Sequence, residues 1–297
     1  MAMTTRTAIP SVKLNDGVEI PVLGFGTGTT WFKKGEATGI NKELVESIKR
    51  AVGLGYHHLD GAEVYGTEPE LGQAIKQSGM ARDQLFVTTK VITNIADIPK
   101  AIDASLEKLQ LSYVDLYLIH SPFFAKSDKE LQDAWAAMEM VKASGKARSI
   151  GVSNFLQCHL DVILKAAKVT PSVNQIEFHP YLQHGDLLTF HESMGIRTAS
   201  YSPLTPVTRA TGGPLDELLS RLAHKYGVGE GEILLRWNMD RGCVSITTSS
   251  KEPRLSSYQR VLAFQLTPKE VDEISSIGQQ KHFRAFWNDH FAKDDRS

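Results

Sequence analysis

Leu85-Phe86-Val87-Thr88-Thr89-Lys90-Val91, then a stretch carrying Ile98, Ile102, Leu106 and Leu109, then Val114-Asp115-Leu116-Tyr117-Leu118-Ile119-His120: this part of the chain decides the fold. The outer runs are short, largely apolar and rich in β-branched residues, as strands of a parallel sheet are. The middle run repeats its apolar residues every three or four positions, so one stripe of a helix faces a sheet. A strand, a crossover helix and a second strand follow one another without a linker.

The same alternation recurs on both sides. Strands are expected at Val22–Thr27, His57–Ala62, Leu85–Val91, Val114–His120, Ala147–Ser153, Val173–Phe178, Arg197–Tyr201 and Val244–Thr248, with helical patterns such as Leu44, Ile48 and Val52 between them. Eight βα repeats predict an α/β fold, a (β/α)8 TIM barrel forming a single domain over residues 1–297. Thr67-Glu68-Pro69-Glu70 has the form of a capping box with proline in the first turn. It should open the second helix and leave Tyr65 in the loop before it. Residues 10–20 read as a hairpin, Val12–Leu14 and Val18–Ile20 around Asn15-Asp16-Gly17, expected on the barrel floor. Residues 279–297 form a tail whose Phe283, Phe286, Trp287 and Phe291 follow no period, expected to cover the active-site mouth.

Thirty-three basic and 34 acidic side chains leave a net charge of −1, so no long-range field would gather nucleic acid. The two cysteines, Cys158 and Cys243, are too few for a disulfide framework and suit a reducing compartment. Met1–Pro10 lacks the apolar core of a leader, and no run approaches the roughly 18 apolar residues that span a bilayer. A cytoplasmic protein without membrane partners, a monomer or weak dimer, is expected. The chain has no H-E-x-x-H, and His57 and His58 face opposite ways along a strand, so no metal site is expected.

In such a barrel the chemistry sits where the C-terminal strand ends meet the βα loops. Reading each strand to its end gives Asp60 and Tyr65 after the second, Lys90 in the third and His120 at the end of the fourth. Ser153-Asn154, Gln175, Tyr201-Ser202 and Thr248-Ser249-Ser250 follow on the remaining strands. A lysine inside an apolar strand needs a carboxylate, and Asp60 on the neighbouring strand is the natural one. Its ammonium would in turn stabilise a phenolate at Tyr65. Lowering a tyrosine by ~3 units takes ~4 kcal/mol of differential stabilisation. Tyr65 would then protonate a carbonyl oxygen while His120 hydrogen-bonds the same oxygen, an arrangement suited to carbonyl reduction.

These motifs resemble the aldo-keto reductases over nearly the whole chain. The resemblance rests on His58-Leu59-Asp60-Gly61-Ala62-Glu63-Val64-Tyr65-Gly66, Val87-Thr88-Thr89-Lys90, Asp115-Leu116-Tyr117-Leu118-Ile119-His120-Ser121-Pro122, Ile150-Gly151-Val152-Ser153-Asn154-Phe155, Asn174-Gln175-Ile176-Glu177-Phe178-His179-Pro180 and Tyr201-Ser202-Pro203-Leu204. Within the superfamily, Ser-Pro-Phe-Phe after His120 and Arg284-Ala285-Phe286 resemble the fungal conjugated polyketone and α-keto amide reductases. The resemblance implies reduction of an activated dicarbonyl with NADPH, bound without a Rossmann domain. It implies that Ser153, Asn154 and Gln175 bond the nicotinamide carboxamide and Tyr201 stacks on the ring, with Thr27, Ser202 and Leu204 among the cofactor contacts. Thr248, Ser249, Ser250 and Arg254 would take the adenosine phosphate; Thr248 stands where the family has lysine, which loosens the expectation of strict NADPH preference. Gly61 replaces the usual threonine. Trp31 and Phe32, Phe123 and Phe124, and Trp287 are expected to line a flat apolar substrate pocket. The superfamily also contains cofactor-binding regulatory subunits, and the complete set Asp60, Tyr65, Lys90 and His120 argues for an enzyme instead.

Overall fold

The computed structural model describes residues 8–33 and 39–297. Residues 1–7, part of the stretch read for a leader, and 34–38 lie outside the described residues. Strands and helices follow in the order β1 (Ser11–Lys13), β2 (Glu19–Pro21), β3 (Leu23–Gly26), α1 (Lys42–Gly53), β4 (His58–Asp60), α2 (Glu68–Ser78), β5 (Phe86–Val91), α3 (Ile98–Leu109), β6 (Val114–Ile119), α4 (Asp128–Ala143) and β7 (Ala147–Ser153). Then come α5 (Gln157–Leu164), β8 (Val173–Glu177), α6 (Leu187–Ser193), β9 (Arg197–Tyr201), α7 (Thr205–Thr208), α8 (Asp216–Tyr226), α9 (Glu230–Asp240), β10 (Val244–Thr247), α10 (Glu252–Tyr258) and α11 (Pro268–Gly278). Strands β3 to β10 close into one parallel barrel in chain order, β10 pairing β3. The chain is a (β/α)8 TIM barrel. No helix among the described residues is long and apolar enough to cross a membrane.

Both faces of the barrel strands are buried, which is why their sequences run apolar rather than alternating. The outward residues, with the inner faces of the helices, form the main core, in which Trp135 and Trp237 are almost fully enclosed. A smaller core fills the barrel: Leu116, Leu118, Val173, Ala199, Val244 and Ile246 meet Leu14 and Ile20 of the hairpin. The hairpin pairs Val12 with Ile20 and turns through Gly17 at φ 89°, a conformation that glycine adopts without steric penalty. Its apolar side plugs the barrel floor.

Helix α2 starts at Glu68 with Pro69 in its first turn, but the expected capping box does not form. The Thr67 hydroxyl donates to the Thr27 hydroxyl at 3.1 Å, and Glu70 accepts the Asn41 N–H at 2.7 Å and pairs with Lys33 at 2.6 Å. Both side chains are buried where tertiary partners outcompete the local cap. The strand ends are also shorter than the apolar runs implied. β4 covers only His58–Asp60, because the chain turns at Gly61 after a last bond from its N–H to the Thr88 carbonyl at 2.8 Å.

Candidate active site

Asp60 closes β4, and its register partner on β5 is Thr88. Lys90 lies two residues further along, so it projects to the same side of the strand as Thr88 and reaches over the end of β4. Its ammonium sits 2.6 Å from Asp60 Oδ1 and donates to the Gly61 carbonyl at 2.8 Å. The other carboxylate oxygen accepts the Gln175 amide N–H at 2.8 Å. Lys90 is wholly buried. Burial alone would drive off its proton, but Asp60 and then Tyr65 outweigh this and hold it above the ordinary lysine range.

Tyr65 ends a short 3-10 turn, Glu63–Tyr65, with the Lys90 ammonium 5.1 Å from its ring centre. A Cβ on Gly28 would come within 3.0 Å of that ring, so glycine there leaves the phenol its place. On the other side, Glu63 Oε1 accepts the backbone N–H groups of Ile92 at 2.6 Å, of Asn94 at 3.1 Å, and of Thr93. The turn carrying Tyr65 is thus tied to the segment just after Lys90. Burial pushes the Tyr65 hydroxyl up, and the Lys90 ammonium pulls it down without cancelling that effect. The expected net lowering of Tyr65 is therefore corrected: desolvation of a phenolate exceeds the help of one ammonium already engaged by Asp60.

His120 follows β6 and places Nε2 3.5 Å from the Tyr65 hydroxyl. Its Nδ1 is buried with no partner. Burial, aided by Lys90, lowers its pKa well below the usual histidine value, so the ring is neutral at physiological pH. The His120 carbonyl accepts Asn154 Nδ2 at 2.9 Å; the same nitrogen bonds Ser153 Oγ at 2.9 Å, and Asn154 Oδ1 accepts the Tyr201 hydroxyl at 2.7 Å. Asn154 and Ser202 hold φ of 61° and 53°. Such left-handed non-glycine residues gather where function fixes the backbone.

A cavity of about 1270 Å³ opens over these groups. Asp60, Tyr65, His120, Ser153, Asn154, Gln175, Tyr201, Ser202, Leu204, Thr248, Ser249, Ser250, Arg254 and Trp287 all line it. Lys90 lies behind Asp60 and Tyr65 rather than on the wall. Thr27 is also set back: fully buried, it donates to the Asp60 carbonyl at 3.1 Å. Trp31, expected at the substrate pocket, is instead turned into the main core and 6% exposed, while its neighbour Phe32, 41% exposed, lies on the wall. Trp31 ends the 3-10 turn Thr29–Trp31 and Phe32 is the residue that leaves it, so their side chains diverge and the larger apolar ring takes the core side. Phe123 stacks on His290 at 4.0 Å and contacts Trp287 at 5.2 Å, behind the wall, and Phe124 packs against the core.

Glu63, Arg209 and Glu177 also shape the site, though the strand-end pattern did not single them out. Arg209 lines the cavity with its guanidinium 5.1 Å over the Phe286 ring. Glu177 ends β8 almost fully buried. A carboxylate in an apolar strand is the same signal that singled out Lys90, and here it was available.

The Aldo/keto reductase family model matches residues 22–279. An NAD/NADP-dependent indole-3-acetaldehyde reductase of Schizosaccharomyces pombe is 42% identical, covering 91% of this chain and 96% of its own. An NADPH-dependent alpha-keto amide reductase of Saccharomyces cerevisiae is 41% identical, covering 94% and 95%. The crystal structure of a Bombyx mori aldo-keto reductase in complex with NADP superposes with a TM-score of 0.82 at 35% identity, covering 91% of this chain and 93% of that one. On sequence, barrel and strand-end geometry together, the chain belongs to the aldo/keto reductase family.

Proposed function

We propose that the protein reduces a ketone or aldehyde, preferentially an activated or conjugated dicarbonyl, to the alcohol with NADPH. One observation carries this reading: a buried ammonium, 2.6 Å from its counter-ion, lies beneath a phenol that shares a cavity wall with a neutral imidazole. The wall also suits a nicotinamide dinucleotide. The cavity exceeds the roughly 300–1,000 Å³ of ordinary small-molecule pockets. Thr248 Oγ1 on its wall is buried without a partner, and the exposed guanidinium of Arg254 lies near it in sequence. Arg254 with the hydroxyls of Thr248, Ser249 and Ser250 would hold the adenosine phosphate. Asn154 Oδ1 keeps a lone pair for the carboxamide, beside Ser153 and Gln175. The Tyr201 ring offers the face for stacking. When bound, the dihydronicotinamide supplies the hydride.

The chain's own residues manage the oxygen. A carbonyl oxygen set between Tyr65 Oη and His120 Nε2, 3.5 Å apart, reaches both. His120, being neutral, donates through Nε2 and orients the carbonyl. Tyr65 stays protonated until negative charge grows on the oxygen, then gives up its proton. Lys90 meets the resulting phenolate with a full charge, and Asp60, held by Gln175, keeps that charge in place. Electrostatic help aimed at charge that develops late is the kind that lowers a barrier rather than only tightening binding.

The test is NADPH oxidation in the presence of α-diketones, ketolactones, aldehydes and sugars, with Tyr65→Phe beside the parent. Reduction by the parent should fall by roughly a hundredfold or more in the variant, the usual weight of a general acid, while the Kd for NADPH stays within a few-fold. Equal turnover in both would remove Tyr65 as the acid. Tight NADPH binding without turnover in the parent would mark a regulatory subunit instead.

A further inference from the structure

On β8, Gln175 and Glu177 are two residues apart and so face the same side of the strand. Gln175 fixes Asp60; Glu177 fixes something else. Its Oε1 accepts the Ala285 N–H at 2.8 Å and His179 Nε2 at 3.0 Å, and its Oε2 accepts the Ala285 and Phe286 N–H groups, each at 3.1 Å. Hydrogen bonds to a buried carboxylate are about twice as strong as neutral ones. Residues 285 and 286 of an otherwise aperiodic tail are thereby pinned to the barrel rim. Beyond them the chain turns at Trp287, φ 62°, and sets its ring edge-on to His120 at 6.2 Å. Phe286 meets Tyr201 edge-on at 5.5 Å. The far side of the strap is held by Phe123, stacked on His290. Both Phe286 and Trp287 line the cavity, whereas Glu177 does not.

We propose that Glu177 is a specificity-determining positioning residue: by bonding the backbone of Ala285 and Phe286 it holds Phe286 and Trp287 as an aromatic wall that favours carbonyl substrates bearing an aryl group. The substrate side of this inference rests on the reductase reading above; the pinning of the tail does not. Without the carboxylate, two backbone N–H groups lose their acceptor, and past the Phe283 N–H bond to the Tyr181 carbonyl the strap is left on ring contacts: Phe286 with Tyr201 and Arg209, and Phe123 with Trp287 and His290.

Phenylglyoxal and methylglyoxal share a reacting group and differ in the aryl ring. In Glu177→Ala the KM for phenylglyoxal should rise roughly tenfold, the worth of a lost aromatic contact, with the KM for methylglyoxal, kcat on either and the Kd for NADPH each within about twofold. Hydrogen exchange at the Ala285 and Phe286 amides, measured without cofactor, should speed up in the variant. Trp287→Ala should reproduce the phenylglyoxal effect, and the double variant should add nothing to it. Glu177→Gln, which keeps one acceptor oxygen, should fall between and serves if the alanine variant does not fold. Unchanged exchange at the two amides would overturn the pinning. Equal changes for both substrates, or additive effects of the two substitutions, would overturn the specificity role. If the parent reduces neither substrate, the reductase reading fails while the exchange result still stands on its own.

Discussion

At Tyr65 two influences act on one proton, and burial wins over the Lys90 ammonium. The phenol therefore remains intact at neutral pH and ionises only above the ordinary tyrosine range, while His120 is neutral throughout. Raised folded-state values leave the acid form in place below them, so kcat/KM for reduction should stay flat from about pH 6 to about pH 9 and fall only on the alkaline side. A limb near pH 6.5 in that profile would mean that His120 titrates. Arg254 poses a different single-residue question. With no lysine at position 248, the 2′-phosphate in the proposed reading would be met by Arg254, with Lys251 three residues before it as the other cation of the loop. Arg254→Ala should weaken NADPH roughly tenfold or more and leave NADH nearly unchanged, read as Kd by fluorescence titration. Equal losses would show that Arg254 does not read that phosphate. The Lys90–Asp60 pair was legible in sequence because a charge in an apolar strand requires a partner. The Tyr65 shift was not, because the depth of burial is a tertiary property.

Among the elements, α11 shows what a formed cap does. Thr267 and Glu270 close a reciprocal capping box, and Glu270 also accepts Lys225 at 2.6 Å and the Tyr226 hydroxyl at 2.6 Å from the end of α8. Burial pushes the Glu270 carboxyl up, and the bonds from Lys225, Tyr226 and Thr267 more than reverse it, holding it at about 2. A carboxylate depressed in the folded state stabilises the fold fully above its unfolded value and loses that contribution as pH falls through its folded value. Glu270→Gln should thus lower Tm at pH 7, and its difference from the parent should shrink between about pH 5 and about pH 2. A gap that stays constant across that range would sink the assignment. At this scale the sequence was readable wherever a period existed. The strands and α3 announced themselves through apolar spacing. The Thr67 cap misled because tertiary partners took both of its side chains. The tail carries no period at all, so its placement could be expected only as a cover, and the backbone bonds to Glu177 that fix it leave no trace in side-chain pattern.

The whole molecule divides its duties between the two ends of one barrel. The floor is closed by Leu14 and Ile20 against the inner core, remote from the reacting groups, and the mouth carries the titratable side chains of the site. That division explains why the gathering of the strand-end side chains at one mouth could be read from sequence while the shape of the pocket could not: one depends on residues fixed by the sheet, the other on loops and a strap. The ring of eight strands has a further consequence. Every barrel strand has a neighbour on each side, so none offers a bare row of backbone donors and acceptors onto which a foreign strand could add. Of the two sheets among the described residues, the short β1–β2 ribbon is the one that keeps outward edges. Once the last strand has zipped onto the first, the barrel is protected against strand-templated aggregation, and the hazard from its own strands is confined to the interval during folding before the ring shuts.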